Sequence, residues 1–475
     1  MRSYLPAVLL VLTTFVAANA GIPAGKAVIS GHAPGYEGRE LVFNYYSDLI
    51  TYTEVEFLRA AVDSAGEFSA VTPEISEPVY IFSFSDAHYL YLHVEPGMEY
   101  RVVLPGYEPR SRRDALNPYY EGIPTHIAVV NHDDNELNAL IRDFDEFYEA
   151  LFGEVFAKLS SQRDSDLLDS VRVVAESRFE GSGHEWFDDY RRYKMAFFKI
   201  MSRMETARSI SDAYFRDSPV LCGNIAYMEL FNQVYNNYFL FFGRTARGSS
   251  IFEDINRYAS LSRLRSTLES DMVLGADRLL ELVILKGLHD SFYGSDFSRS
   301  ALLRVLDSFE SSTDFPGHAE IAGNIREKTT RLMTGFHPPH FELKNSDGEI
   351  TDLSAYKGEF VYLNFCTAVS YSCLSEYDLM QRLDKLYGEH LRIVTIFIGE
   401  SFEAMDRFLQ TNDYNWDFLF YGNQPSVLRD YDIRVFPTYY FIDRDGKLLM
   451  SPAPRPSEDF ERYLVRTLRR EGVIR

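Results

Sequence analysis

Phe360-Val361-Tyr362-Leu363-Asn364-Phe365-Cys366-Thr367-Ala368-Val369-Ser370-Tyr371-Ser372-Cys373 is the stretch on which the fold of the C-terminal part turns. Phe360 to Phe365 is an apolar run of buried-strand type, and Ser372 to Tyr387 has helical spacing. Ile393 to Ile398 repeats the strand signal and Phe402 to Gln410 the helical one. Thr438 to Ile442 is a further strand, turning at Asp443-Arg444-Asp445-Gly446 into Lys447 to Met450. On the other side, Phe341 to Lys344 and Ile350 to Leu353 flank an Asp347-Gly348 hairpin turn. A helix closes the chain from Glu458 to Arg469. Strands separated by helices predict βαβ units, whose parallel sheet is covered on both faces.

His337-Pro338-Pro339 ends a long region of period 3.6 that begins near Asp134. Leu137, Leu140, Ile141, Phe144, Tyr148, Leu151, Phe152 and Val155 fall on one helical face. The pattern continues through Trp186 to Asp212, Gly223 to Phe242, Ile251 to Leu268, Gly275 to Tyr293, Ser298 to Phe309 and Ala319 to Met333. With no strand signal between them, these segments predict a helical array. Tyr235 to Phe242 reads as dense core packing rather than a peptide groove, and Cys222, at a helix start, as a structural thiol.

Before this array the period is two. Lys26 to Gly31, Glu40 to Tyr45, Val55 to Val62, Pro78 to Phe84, His88 to Val94 and Glu99 to Leu104 are short runs separated by turn signals, a pattern that predicts a small antiparallel sandwich. Tyr89, Tyr91 and Tyr100 alternate along these strands as packing residues. Arg2, the apolar Leu5 to Val16 and the small-residue site Ala18-Asn19-Ala20 read as a removable export signal. The expected organisation is a signal peptide over 1–20, a β-sandwich over 21–108, a helical domain over 125–335 and an α/β domain over 336–475. The class is multidomain α+β.

Composition narrows the function. With 475 residues the chain exceeds a single core, and 48 Lys plus Arg against 70 Asp plus Glu give a net charge of −22, which repels phosphate backbones. Nucleic acid is excluded as an expected partner, and no apolar run after the leader is long enough to span a bilayer. Three cysteines cannot form a disulfide framework. His184-Glu185-Trp186-Phe187-Asp188 lacks the second histidine of a zinc helix, and His132-Asp133-Asp134 reads as a capped polar turn, so no metal site is expected. No phosphate-binding glycine loop or Gly-x-Ser-x-Gly elbow occurs.

Pro339-x-Phe341-x-Leu343, Asp347-Gly348, Leu353-Ser354-x-Tyr356-Lys357-Gly358 and Val361-x-Leu363-Asn364-Phe365 together resemble the start of a thioredoxin-like domain of the TlpA and ResA type. Tyr431 to Thr438, followed by Phe441-Ile442-Asp443-Arg444-Asp445-Gly446-Lys447, resembles the segment that carries a cis-proline facing the redox site in that family. The resemblance covers about 140 residues, and the two preceding regions are similar to the N-terminal parts of bacterial envelope proteins that carry such domains. It implies thiol-disulfide chemistry without a cofactor, a periplasmic or secreted location, and a protein or peptide partner, an envelope redox protein among the candidates.

The departure lies at the reactive motif. Where the family has Trp-Cys-x-x-Cys, this chain has Val369-Ser370-Tyr371-Ser372-Cys373. A serine hydroxyl stays protonated near neutral pH and has no counterpart to disulfide exchange. One reading is a noncatalytic descendant that binds a partner at Val435, Phe436 and Pro437, keeping Cys373 as a small core residue. A second is residual thiol chemistry at Cys373, with Cys366 as its partner if the two approach closely enough. The peroxidatic Thr-x-x-Cys of the related peroxiredoxins is absent, since the chain reads Thr367-Ala368-Val369-Ser370.

Overall fold

The computed structural model describes residues 25–474 apart from 116, 118, 163, 180, 276 and 423, so the leader expected over 1–20 lies outside the described residues. The N-terminal strands are β1 (Val28–His32), β2 (Glu40–Tyr46), β3 (Glu54–Ala61), β4 (Glu67–Val71), β5 (Val79–Ser85), β6 (His88–Val94), β7 (Glu99–Val103), β8 (Ile123–His126) and β9 (Ala128–Val129). They form two sheets, ordered β4-β1-β7-β9 and β3-β2-β5-β6-β8. Ile29, Leu41, Phe43, Ile81, Leu92 and Val102 fill the space between them. Two pairings, β1 with β7 and β6 with β8, are parallel within an otherwise antiparallel sandwich. Residues 123–129, of which 125–129 were expected within the helical domain, extend both sheets, because the chain returns from the β7–β8 connection along His88 to Tyr91. The outer face of the five-stranded sheet carries the tyrosines: Tyr89 stacks on Phe82 at 5.2 Å, while Tyr100, on the other sheet, is fully buried.

One short helix, α1 (Arg112–Ala115), lies in the β7–β8 connection. The array consists of α2 (Leu137–Gln162), α3 (Ser165–Phe179), α4 (Glu185–Met201), α5 (Ala207–Tyr214), α6 (Ile225–Val234), α7 (Tyr238–Gly243), α8 (Ile251–Asn256), α9 (Leu261–Leu268), α10 (Asp277–Phe292), α11 (Arg299–Glu310) and α12 (Pro316–Thr330). Three segments expected as single helices are broken at Arg203, Asn237 and Ala259, each with positive φ. None of the three is glycine; Asn237 is of a type that tolerates the left-handed backbone, whereas Arg203 and Ala259 are held there by packing. Helix α10 is enclosed by its neighbours. The Phe239 ring lies so close to Gly287 that a Cβ there would meet it at 2.3 Å, which requires glycine at this crossing. His184 caps α4 by accepting from Phe187 N, and its Nε2 is 2.7 Å from Glu95.

The C-terminal elements are β10 (Leu343–Asn345), β11 (Ile350–Thr351), β12 (Phe360–Thr367), α13 (Tyr371–Tyr387), β13 (Leu391–Ile398), α14 (Phe402–Thr411), β14 (Asp417–Phe420), α15 (Pro425–Asp430), β15 (Thr438–Ile442), β16 (Leu448–Met450) and α16 (Phe460–Arg470). The seven strands are ordered β11-β10-β14-β13-β12-β15-β16. β12, β13 and β14 run parallel, while β10 and β15 join them antiparallel, so the sheet is mixed. β12 is buried along its whole length because both faces are covered: Phe360, Tyr362 and Cys366 enter one core, Val361, Leu363 and Phe365 the other.

Candidate functional site

The site forms where β12 ends and α13 begins. Strand alternation puts Cys366 on the same face as Tyr362, and helical spacing puts Cys373, Tyr377 and Met380 on the face of α13 that covers it. Ser370 is the N-cap of α13, with extended backbone and no side-chain cap bond to the helix amides. Its hydroxyl instead lies beside Cys373 and favours the negative charge of that thiol. The Thr367 N–H donates to Cys373 Sγ at 3.3 Å.

Cys366 and Cys373 are both fully buried, lie close enough for each thiol to shift the other, and are not joined by a disulfide. The neighbouring Cys366 thiol, assisted by the Thr367 N–H, the Ser370 hydroxyl and Arg455, holds the Cys373 thiol below the ordinary thiol range against the opposing effect of burial. Burial, reinforced by the neighbouring Cys373, pushes Cys366 well above that range. Cys373 is therefore the more acidic thiol of the pair and Cys366 the one that keeps its proton longer. Burial lifts Cys222 to about 11, which leaves it a protonated structural thiol.

Two residues beside the thiols were not singled out in the sequence. Tyr377, fully buried, places its hydroxyl next to Cys366, and burial keeps that phenol protonated. Glu376, also buried, accepts hydrogen bonds from Ser457 N at 3.0 Å and from the Ser457 hydroxyl, tying α13 to the turn before α16. A carboxylate one step before the apolar Tyr377, on the helix side that faces the core, is the sequence signal for this tie.

At the surface, Val369, Tyr371 and Val435 are exposed around the buried thiols, Tyr371 by 85%. The peptide bond between Phe436 and Pro437 is cis. Thr438, the next residue, pairs with Phe365, so the Val435–Pro437 loop leaves the sheet at the level where β12 reaches Cys366. Pro437 itself is buried and Phe436 half-buried. On the other side of the thiols, Ala368, Val369, Phe397, Ala404 and Phe408 line an apolar pocket of about 260 Å³. Thus Ser370, Cys373 and Cys366 come together at one point, beneath a surface edged by Val435 and Phe436.

The AhpC/TSA family model matches residues 334–450. Over 123 residues the chain is 30% identical to the thioredoxin-like protein YneN of Bacillus subtilis, a match covering 25% of this chain and 71% of that protein. The chain belongs to the thioredoxin-like thiol-disulfide oxidoreductase family. Another member of the family, the thiol-disulfide oxidoreductase ResA of Bacillus subtilis, is 29% identical over 119 residues, covering 25% of this chain and 66% of ResA. The pneumococcal exposed lipoprotein thioredoxin from Streptococcus pneumoniae is a solved structure 26% identical to this chain, with a TM-score of 0.24, covering 28% of this chain and 99% of that one. Among the described residues, no helix is long and apolar enough to cross a membrane.

Proposed function

We propose that this is an exported protein of the cell envelope that captures an extended segment of a partner protein at the Val435–Phe436 edge and does not run the Cys-x-x-Cys cycle. The observation that carries this reading is the combination of Ser370 at the N-cap of α13 with complete burial of Cys373. In the two-cysteine cycle an exposed thiolate at the helix start attacks and a buried one resolves. Here the exposed position holds a hydroxyl, and the remaining thiol is out of reach of a protein disulfide. An extended peptide adding main-chain hydrogen bonds beside Val435 needs neither thiol. The test is disulfide reduction by the purified protein, for instance of insulin. Turnover comparable with that of an intact two-cysteine relative would overturn the reading.

A second reading is favoured by the adjacency of Cys373 and Cys366, whose thiols shift each other in opposite directions. Cys373 thiolate would attack a small disulfide R–S–S–R, forming Cys373–S–S–R and releasing one RS⁻. Cys366, losing its proton, would displace the second RS⁻ and leave a Cys366–Cys373 disulfide. The two protein thiols are oxidised and the small disulfide is reduced to two thiols. Mass spectrometry of the protein after treatment with oxidised glutathione separates the readings. A Cys366–Cys373 bridge that reopens in a thiol buffer supports the second, and thiols that stay free support the first.

A further inference from the structure

The apolar pocket beside Val369 is not used by peptide capture at Val435, and its walls lead to the thiols. Three small residues make its space: Ala368 on the turn after β12, Gly399 after β13, and Ala404 in the first turn of α14. Ser401 caps that helix, its hydroxyl accepting from Ala404 N at 3.2 Å, which fixes where Ala404 stands. A Cβ at Gly399 would meet the Phe397 ring at 2.5 Å, so this corner requires glycine.

Phe397 belongs to the apolar cluster that encloses Cys366 and Cys373, and Ala368 and Phe408 pack against the same cluster. The pocket and the thiols therefore share walls. The turn from Thr367 to Ser370 separates them: Thr367 lines the pocket, and its N–H donates to Cys373 Sγ at 3.3 Å. Within the turn the Ser370 N–H reaches Thr367 O at 3.4 Å and the Val369 N–H reaches Thr367 Oγ1 at 3.5 Å, long bonds that cost little to break. At about 260 Å³ the pocket falls below the range of roughly 300–1,000 Å³ that holds drug-sized ligands. Its charged lining residues, Glu400 and Arg407, are of opposite sign, so net charge selects nothing, whereas the apolar walls disfavour ionised groups.

We propose that this pocket is the docking site of a small, neutral disulfide with apolar substituents, the substrate of the Cys373–Cys366 pair. The disulfide R–S–S–R seats beside the 367–370 turn, and displacement of that turn brings one of its sulfurs to Cys373 Sγ. Attack forms Cys373–S–S–R and releases RS⁻. Cys366 then displaces the second RS⁻ and closes the Cys366–Cys373 bridge. The two protein thiols are oxidised, the small disulfide is reduced, and the two thiol protons leave on two molecules of RSH. Oxidised glutathione is too large and too charged for the pocket and reaches the thiols only through a wider, rarer opening. This rests on the second reading above.

The test uses the full, reduced protein with diethyl disulfide and oxidised glutathione as probes, and follows bridge formation by intact mass after acid quenching. With diethyl disulfide the rate is expected to saturate as its concentration rises, as docking before reaction requires. Diethyl sulfide, of similar shape but without the S–S bond, should slow it. Ala404→Leu fills the pocket and should slow the reaction of diethyl disulfide by about fivefold or more, while changing that of oxidised glutathione by less than about twofold. Competition by diethyl sulfide is read on the wild type and does not depend on how the variant folds. A bridge whose rate stays linear in diethyl disulfide, and ignores both diethyl sulfide and Ala404→Leu, overturns the pocket inference and leaves the thiol reading standing. Equal slowing of both probes by Ala404→Leu overturns the inference in the same way. No bridge with either probe in the folded protein overturns the thiol reading and the inference together.

Discussion

Cys366 and Cys373, on β12 and α13, lie side by side in a fully buried pocket, and their thiols are shifted in opposite directions. The polarity of the pair follows from position. Cys373 lies in the first turn of a helix, where the Thr367 N–H and the Ser370 hydroxyl favour negative charge, while Cys366 has protein on every side.

Cys373 should therefore be the first of the two to react with iodoacetamide, and both should be slow because neither is exposed. Its rate should rise with pH through a midpoint below the ordinary thiol range, since the folded state lowers its pKa. The linkage has the same sign: the stabilising contribution is present above the unfolded thiol pKa and is lost as pH falls through the folded value. Peptide mapping after timed alkylation measures the order. Modification of Cys366 ahead of Cys373 would show that the polarity is reversed.

Ser370→Cys should create a bridge to Cys373 under mild oxidation, because the Ser370 side chain already reaches the Cys373 sulfur. The new thiol would sit at the N-cap of α13, at the exposed end of the motif, and insulin reduction should appear with it. Intact-mass analysis before and after reduction reads the bridge. A substituted protein that keeps all four thiols free on oxidation, with no loss of two hydrogens, would mean that the side chain at 370 points away from Cys373 in solution.

Much of this site was legible in the sequence, and the reasons for the rest are physical. The run Phe360 to Phe365 is apolar on both faces except at Asn364, as a strand covered on both sides must be, so β12 and the helix after it could be placed. β4 was missed because Glu67, Ser69 and Val71 lie on the exposed side of an edge strand and Phe68 alone is buried. β14 has four residues, too few to show a period. The approach of Cys366 to Cys373 was left open because it depends on how sharply residues 367 to 370 turn between strand and helix. No spacing rule sets that bend. The helix breaks at Arg203 and Ala259 were equally invisible, since neither residue type announces a left-handed backbone.

The tie between Glu376 and Ser457 should matter to stability more than its distance from the surface motif suggests. Glu376→Ala leaves the Ser457 N–H and hydroxyl without their carboxylate and removes two charge-assisted bonds, at a cost of about 2–3 kcal/mol. Ser457→Ala should cost about 1 kcal/mol, since one bond to Glu376 remains. Tyr377→Phe should be nearly neutral, because its buried hydroxyl has no hydrogen bond of good geometry to lose. Urea unfolding followed by tyrosine fluorescence gives all three. A Tyr377→Phe loss as large as that of Glu376→Ala would assign the phenol a structural bond that its geometry does not indicate.

The last prediction concerns the junction of the three domains. Arg429, on α15, lies 2.8 Å from Glu54 on β3, and Arg331, just after α12, lies 2.7 Å from Asp430. Burial raises the Glu54 carboxyl above its ordinary value even with Arg429 beside it. A raised carboxyl favours the protonated form in the folded state, so its stabilising effect is present below the unfolded pKa and is lost as pH rises through the folded one. Arg429→Ala removes the main counter-charge and should raise that carboxyl further. The variant should then lie close to the wild type at pH 4, where Glu54 is protonated in both. The gap should widen to about 1–2 kcal/mol at pH 7, where an unpaired carboxylate would remain in the junction. Thermal unfolding of both proteins across this pH range measures it. A gap of the same size at pH 4 and pH 7 would mean that Arg429 acts through packing rather than through Glu54.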